Sequence, residues 1–351
     1  MAHQSSAQTQ CCKTLSADPL KLLRGSNARL IDQRFLAMGT EISVKLVCGH
    51  RSQRNDALLA IQSVTELMHA FSREAWAWGD GALSKFNSAL SAGGTPKVPY
   101  GLRELFTKAW KIHQQSGGLF EPRVAKLVRL WGFDDVARLR ESPPTSSEIE
   151  TLLRALSAAP NFTGAMYYGP APNVSWDFGG IGKGYIVDKA LDILRKHQFG
   201  DAVVDAGGNL AARGAHHSRP WRVAIRDPRS SQDPRRLLAS LEVFNEAVIT
   251  HGDDQRYFEF EGRRYSHILH PKTGVPVQGF RSLTVVHSDA TLADAGGAAL
   301  FVAGPDSWRA LAKRLDIDQI LIAKDNGIIQ ATSALARRLS AEPDVRIEVI
   351  D

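Results

Sequence analysis

The chain has 351 residues, 43% hydrophobic and 23% charged, with a formal net charge of +6. That composition is globular, with enough length for a sizeable core, and it excludes a disordered, collagen-like or low-complexity chain. Cys11, Cys12 and Cys48 are too few for a disulfide framework or a zinc site, no basic run with interleaved aromatics points to nucleic acid, and no stretch is long enough to span a membrane.

Residues 1–29 are polar and read as a flexible leader before a single domain over 30–351. The leader has no apolar core of the kind a signal peptide needs, so the chain reads as cytoplasmic. Loose alternation over 34–47, with Ile42, Val44 and Leu46 on one side, predicts a strand. Residues 55–71 place Leu58, Ile61, Val64, Leu67, Met68 and Phe71 at helical spacing. A second helix is expected over 102–116, stopped by Gly117-Gly118. A turn at 119–124 leads into an apolar segment ending at Trp131-Gly-Phe133.

A charged, proline-bearing linker over 138–144 precedes a helix over 146–156 with Ser/Glu capping chemistry. Another helix is expected over 186–196. Strands follow at 202–205, 221–226, 238–244, 247–250 and 257–260, and Glu261-Gly262-Arg263 turns the chain into 265–269. A strand over 282–286, helices over 292–302 and 307–315, and strands at 319–323 and 328–329 close a sheet. Strands and helices mix without a regular βαβ rhythm, which predicts an α+β fold of mixed, largely antiparallel sheets packed with helices.

Five clusters stand out. They are Met38-Gly39-Thr40; Gly117-Gly-Leu-Phe-Glu-Pro122 with Trp131-Gly-Phe133; Gly179-Gly-Ile-Gly-Lys-Gly184; Val204-Asp-Ala-Gly-Gly208; and the stretch through Thr250-His-Gly-Asp253, Ser266-His-Ile-Leu-His-Pro-Lys-Thr-Gly274 and Ala293-Asp-Ala-Gly-Gly297. Glycines let a backbone pass close to a ligand or adopt conformations other residues resist. A lysine in such a loop, just before a helix, suits a phosphate. The spacing fits neither the Rossmann fingerprint nor a P-loop. Each cluster also has an ordinary reading: Lys183 as a solvated loop lysine, Asp294 as a helix N-cap, Met38 and Phe120 as core residues, and His267 as a structural histidine.

In this order the clusters, from about Arg34 to about Gly304, resemble the FAD:protein FMN transferase (ApbE) family. Gly180-Ile-Gly-Lys-Gly-Tyr-Ile-Val-Asp188 is similar to the family's Gly-Ile-Ala-Lys-Gly-Tyr-Ala-Val-Asp. His267-Ile-Leu-His-Pro-Lys-Thr-Gly274 is similar to its His-Ile-Ile-Asp-Pro-Arg-Thr-Gly. The resemblance implies an enzyme that takes FAD as substrate, holds Mg²⁺, and moves FMN onto a threonine hydroxyl of an acceptor protein with release of AMP.

Carried onto this chain, the resemblance implies a metal site from the Gly182 carbonyl, the Asp294 carboxylate and the position of Ala298. Lys183 would face a phosphate and Asp188 would contact the nucleotide. Met38, Leu119, Phe120 and Glu121 would line the FAD pocket, and Trp78 or Trp76 would present a ring to the flavin. His267, with a near-neutral pKa, would take the proton of the acceptor hydroxyl. Breaking a diphosphate with a weak alcohol nucleophile needs charge neutralisation and in-line positioning, which these residue types suit.

Three departures alter the donor set. The family's Asp-Ala-x-x-Thr ends here in Ala298, its Asp-Pro is His270-Pro271, and its Ser-Gly-Asp is His251-Gly252-Asp253. Water commonly completes a Mg²⁺ shell that lacks one oxygen, and extra histidines admit a softer metal. Hydrolysis of FAD to FMN and AMP, or flavin binding without turnover, remain the rival readings.

Overall fold

The structure, a computed structural model, describes residues 30–229, 233 and 235–351. The leader expected over 1–29, with Cys11 and Cys12, lies outside the described residues. The strands are β1 (Leu30–Ala37), β2 (Thr40–Val47), β3 (Ala202–Ala206), β4 (Asn209–Arg213), β5 (Trp221–Arg226), β6 (Leu237–Val243), β7 (Ala247–Gly252), β8 (Tyr257–Phe260), β9 (Arg263–Ser266), β10 (Phe280–His287), β11 (Gln319–Lys324), β12 (Ile329–Thr332), β13 (Ser340–Ala341) and β14 (Ile347–Ile350). The helices are α1 (Arg54–Glu74), α2 (Ala82–Ser91), α3 (Arg103–Gln115), α4 (Ala125–Leu130), α5 (Ser146–Ala158), α6 (Gly182–Lys196), α7 (Ala290–Leu315) and α8 (Ser333–Ala336).

Nine strands form the central sheet in the order β1-β2-β3-β4-β7-β10-β11-β12-β14. Every neighbouring pair is antiparallel except β12 with β14. Alternation sorts the side chains to its two faces. Ala202, Val204, Ala247, Ile249 and Val285 join the large core beneath α1, α3, α6 and α7. Val203, Val248 and Val286 pack on the other side with Trp221, Val223 and Leu241 of the small β5-β6-β13 sheet. A third cluster, built by Leu127, Trp131, Phe133, Ile149, Phe258 and Leu269, ties α4 and α5 to the β8–β9 hairpin. The α+β architecture therefore stands as the sequence pattern implied.

Local chemistry explains the differences from expectation. The strand expected over 34–47 is two strands, because Met38 (φ 54°) and Gly39 (φ 71°) make a hairpin turn with both central residues left-handed. β4 follows the Gly207-Gly208 turn as the second arm of another hairpin, too short to announce itself by pattern. The apolar segment before Trp131 contains the short α4, and α2 was not anticipated. The two expected C-terminal helices run as one, α7, kinked at Gly304 (φ 68°) and Pro305. β12 does not close the sheet, since β14 pairs beyond it. The helix expected over 146–156 is α5, opened by a reciprocal cap between Thr145 and Glu148. Among the described residues no helix is long and apolar enough to cross a membrane.

Candidate active site

α6 starts at Gly182, so Lys183 lies in its first turn rather than in a free loop. None of Gly179, Gly180, Gly182 and Gly184 has a left-handed φ. These glycines answer to space, not to backbone conformation. A Cβ at Gly184 would stand 2.1 Å from the Ala290 carbonyl oxygen and 2.7 Å from Asp294 Cβ, so α6 and α7 touch backbone to backbone there. Gly182 has room for a Cβ, 3.5 Å from the Phe71 ring, which accommodates the alanine of the family motif.

This close crossing is held by two carboxylates, each capping the other helix. Asp294 Oδ2 accepts from the Gly184 amide at 2.8 Å, and α6 has no side-chain cap of its own from Ile181. Asp188, on α6, accepts from the amides of Ala290 (3.3 Å) and Thr291 (2.9 Å) and from the Thr291 hydroxyl (2.8 Å) at the start of α7. Anionic groups at helix N-termini satisfy unpaired amides and oppose the helix dipole. Asp294 is not the N-cap of α7; Asp289 is, accepting from Leu292 at 2.9 Å. Asp188 thus engages the start of α7, and burial raises its pKa despite those hydrogen bonds.

Asp294 is 2% exposed, and its second oxygen, Oδ1, has no hydrogen bond among the described residues. His251 Nε2 lies 3.9 Å from it. Lys183 is half-buried with no hydrogen bond or ion pair to another described residue. Its cation helps to lower the pKa of both His251 and His267, after burial, which places the three in one electrostatic neighbourhood. A Cβ at Gly180 would stand 3.4 Å from the Phe120 ring and 3.8 Å from Ala298 Cβ. Phe120, the glycine segment, Lys183, Asp294, Ala298, His251 and His267 therefore come together. The Ala298 methyl offers no ligand atom.

His267 follows β9, and its Nδ1 lies 3.3 Å from the Arg256 carbonyl, which also accepts its amide at 3.0 Å. A carbonyl only accepts, so Nδ1 carries the proton and Nε2 keeps its lone pair. Burial, then the Arg256 cation, pushes the pKa of His267 down to about 4. It is neutral at pH 7 and able to accept a proton. The turn after it is built on His270, whose carbonyl accepts from Gly274 (2.7 Å) and whose Nδ1 accepts from the Lys272 amide (3.2 Å). An imidazole nitrogen supplies the acceptor that an aspartate would place there. Trp131 Nε1 donates to the Gly274 carbonyl at 2.7 Å and pins the turn to the third cluster.

The other expected pocket residues spread outward. Met38 sits in the β1–β2 turn, its amide donating to Ser72 Oγ at 3.2 Å, one residue from the Phe71 ring that faces Gly182. Trp78 is half-buried against the large core, whereas Trp76 is 53% exposed and folds over Gly79. Leu119 is half-buried beside Phe120. Glu121 turns into a buried pair with Arg123, its two oxygens accepting from Nε and Nη2 at 2.8 Å each, with His113 Nδ1 at 3.3 Å. A cleft of about 290 Å³ lies at that end of α3, lined by Trp110, His113, Gln114, Gly117, Gly118 and Asn161.

Two residues of the site escaped the sequence reading. Asp177 caps the glycine segment by accepting from the Gly179 amide at 3.1 Å, and burial raises its pKa. Its Asp-x-Gly spacing was the available signal. Arg256 acts through its main-chain carbonyl, for which no sequence signal exists. Among the described residues no cluster of three or more His, Cys, Asp or Glu side chains forms a cation cage. A hard cation here would take its remaining oxygens from backbone, water and substrate.

The sequence pattern of the ApbE family matches residues 38–321. An FAD:protein FMN transferase of Rhodobacter capsulatus is 33% identical over 318 residues, covering 89% of this chain, which in turn spans 58% of that relative's length. One from Klebsiella pneumoniae is 32% identical over 66% of this chain and 71% of its own. The crystal structure of the ApbE protein from Thermotoga maritima superposes with a TM-score of 0.77 at 28% identity, covering 88% of this chain and 99% of that one. The apo flavinyl transferase ApbE of Pseudomonas stutzeri gives 0.74 at 27% identity, with 90% and 98% covered.

Proposed function

The chain belongs to the ApbE family, and on that premise we propose that it is a flavin transferase moving the FMN half of FAD onto a threonine hydroxyl of an acceptor protein, with Mg²⁺ and release of AMP. The observation that carries this reading is the Asp294–Gly184 hydrogen bond, which joins the acidic segment of α7 to the lysine-bearing start of α6. The residues present fit a divalent cation: Asp294 keeps one oxygen free of hydrogen bonds among the described residues, and the carbonyl of Gly182 is two residues from Gly184, whose amide binds the other oxygen. When bound, the cation neutralises charge on the diphosphate.

The chain's own groups do the rest. The positive end of α6 and Lys183, unpaired among the described residues, attract the diphosphate. Phe120, with Met38, Leu119 and Trp78 further out, offers apolar surface to the flavin. His267 Nε2 takes the proton of the threonine hydroxyl as that oxygen bonds to the phosphorus of the FMN half, and the bond from that phosphorus to the bridging oxygen breaks to free AMP. Asp188 and Glu121 serve this site by positioning, since their oxygens hold α7 and Arg123.

Incubating the chain with FAD, Mg²⁺ and an acceptor protein, then weighing the intact acceptor, tests the proposal. A mass gain of one FMN on a threonine is expected. Free FMN and AMP without that gain would make the protein a hydrolase, and unchanged bound FAD a flavin carrier.

A further inference from the structure

His251 is the residue that the fold leaves least explained. It sits near the end of β7, opposite Leu283 of β10, where the family motif has serine. Its Nε2 is buried without a hydrogen-bond partner among the described residues. The carbonyls of Ala293 and Asp294 are near enough to favour its proton, yet neither reaches hydrogen-bond geometry. A Cβ at Gly297 would stand 2.6 Å from that nitrogen, so the ring fills space that only glycine leaves open on α7. Buried polar atoms without partners are rare in native proteins, and a missing ion is one recognised reason for them. The nitrogen lies 3.9 Å from Asp294 Oδ1, the one oxygen of that carboxylate with no hydrogen bond among the described residues. Two donors each about 2.1 Å from one ion are separated by at most roughly 4.2 Å, so a shift of less than about 1 Å brings the pair to an ordinary ligand angle.

We propose that His251 Nε2 and Asp294 Oδ1 ligate one divalent cation together, the imidazole replacing the hydroxyl that Ala298 lacks, so that the site takes a borderline transition-metal ion in preference to Mg²⁺. The inference rests on the transferase reading for the position of the cation, and not for the nitrogen ligand. Imidazole suits first-row transition metals and gives little to Mg²⁺, which prefers oxygen.

The test loads the full chain with Mn²⁺ and measures electron spin-echo envelope modulation, which detects a directly bound imidazole nitrogen. Nitrogen coupling is expected in the wild type and in His267→Ala, and its loss in His251→Ser. Mn²⁺ affinity should fall roughly ten-fold or more in His251→Ser, at least the loss that removal of an outer-shell partner brings, while Mg²⁺ affinity holds. Gly297→Ala, which displaces the ring and removes no donor, should also lose the coupling. If either variant fails to fold, the wild-type and His267→Ala spectra decide by themselves. Bound Mn²⁺ without nitrogen coupling would overturn the proposal, and so would coupling lost in His267→Ala. FMN transfer supported by Mg²⁺ in His251→Ser would leave the transferase reading standing in either event.

Discussion

The two walls of the site are built in opposite ways. On one side, α6 and α7 cross with their backbones in contact, and Asp188 and Asp294 each cap the other helix. On the other, His267 hangs from the β8–β9 hairpin and a tight turn, backed by the small third cluster rather than the large core. The first wall fixes charged groups, and under the proposed function a small displacement there would weaken every interaction with the diphosphate. The second holds a neutral imidazole by one carbonyl, and under the proposed function that ring would meet the incoming hydroxyl. On the proposed function, rigidity is concentrated where charge would be placed, and local fixing suffices where a proton would move.

The largest expected effect comes from the second wall. His267→Ala should lower kcat by about 10² to 10⁴, the usual contribution of a general base, while the melting temperature changes little because the ring gives up one hydrogen bond to the Arg256 carbonyl, which keeps the His267 amide, and an edge contact with Phe133. Comparable loss of both activity and stability would make His267 structural and erase the contrast. On the first wall the order reverses. Gly184→Ala should cost about 3 kcal/mol of folding stability, the upper end for overpacking, read by urea unfolding. A neutral result would mean that the helices can separate without penalty.

Asp188→Asn should cost less, about 1 kcal/mol, as for a weakened helix cap, and should raise KM for FAD more than it lowers kcat, because it acts through the placement of Asp294. A fall in kcat alone would argue against a positioning role. The smallest effect is in pH. His267 titrates near 4 in the folded chain, below its value of about 6.5 when unfolded, so the unfolded chain binds the extra proton first. Stability from this group is complete above pH about 6.5 and is lost as pH falls through about 4. The rate should accordingly show no acid limb near 6.5. A limb there would mean that the imidazole is solvated and the second wall open.

Much of this was legible before folding. The α1 and α3 helices, the strands at β5 and β8, and the fifth cluster's His267 and Asp294 all follow from local spacing or motif. Legibility failed where a partner is distant in sequence. Asp188 reads as an exposed or nucleotide-facing carboxylate until α7, 103 residues on, brings Thr291 to it. Glu121 reads as a pocket residue for a different reason: its partner Arg123 is only two residues away, but nothing in the sequence shows the fold seating that guanidinium against Trp110, where it engages both Glu121 oxygens. The turns at Met38-Gly39 and Gly207-Gly208 hide two strand boundaries, because a two-residue turn interrupts the alternation too briefly to stand out from the flanking strands.

The sequence by itself determined the mixed α+β class, the family resemblance and the residue types available for phosphate, proton and cation. Those depend on composition and short-range order, which the chain carries locally. Tertiary structure alone decided which oxygen of Asp294 stays uncommitted, which nitrogen of His267 keeps its lone pair, and that His251 faces Asp294. For Asp294 and His251 this is a matter of distance between groups far apart along the chain, set by packing of α7 against α6 and β7; for His267 the β8–β9 hairpin sets it, by bringing the ring to the Arg256 carbonyl.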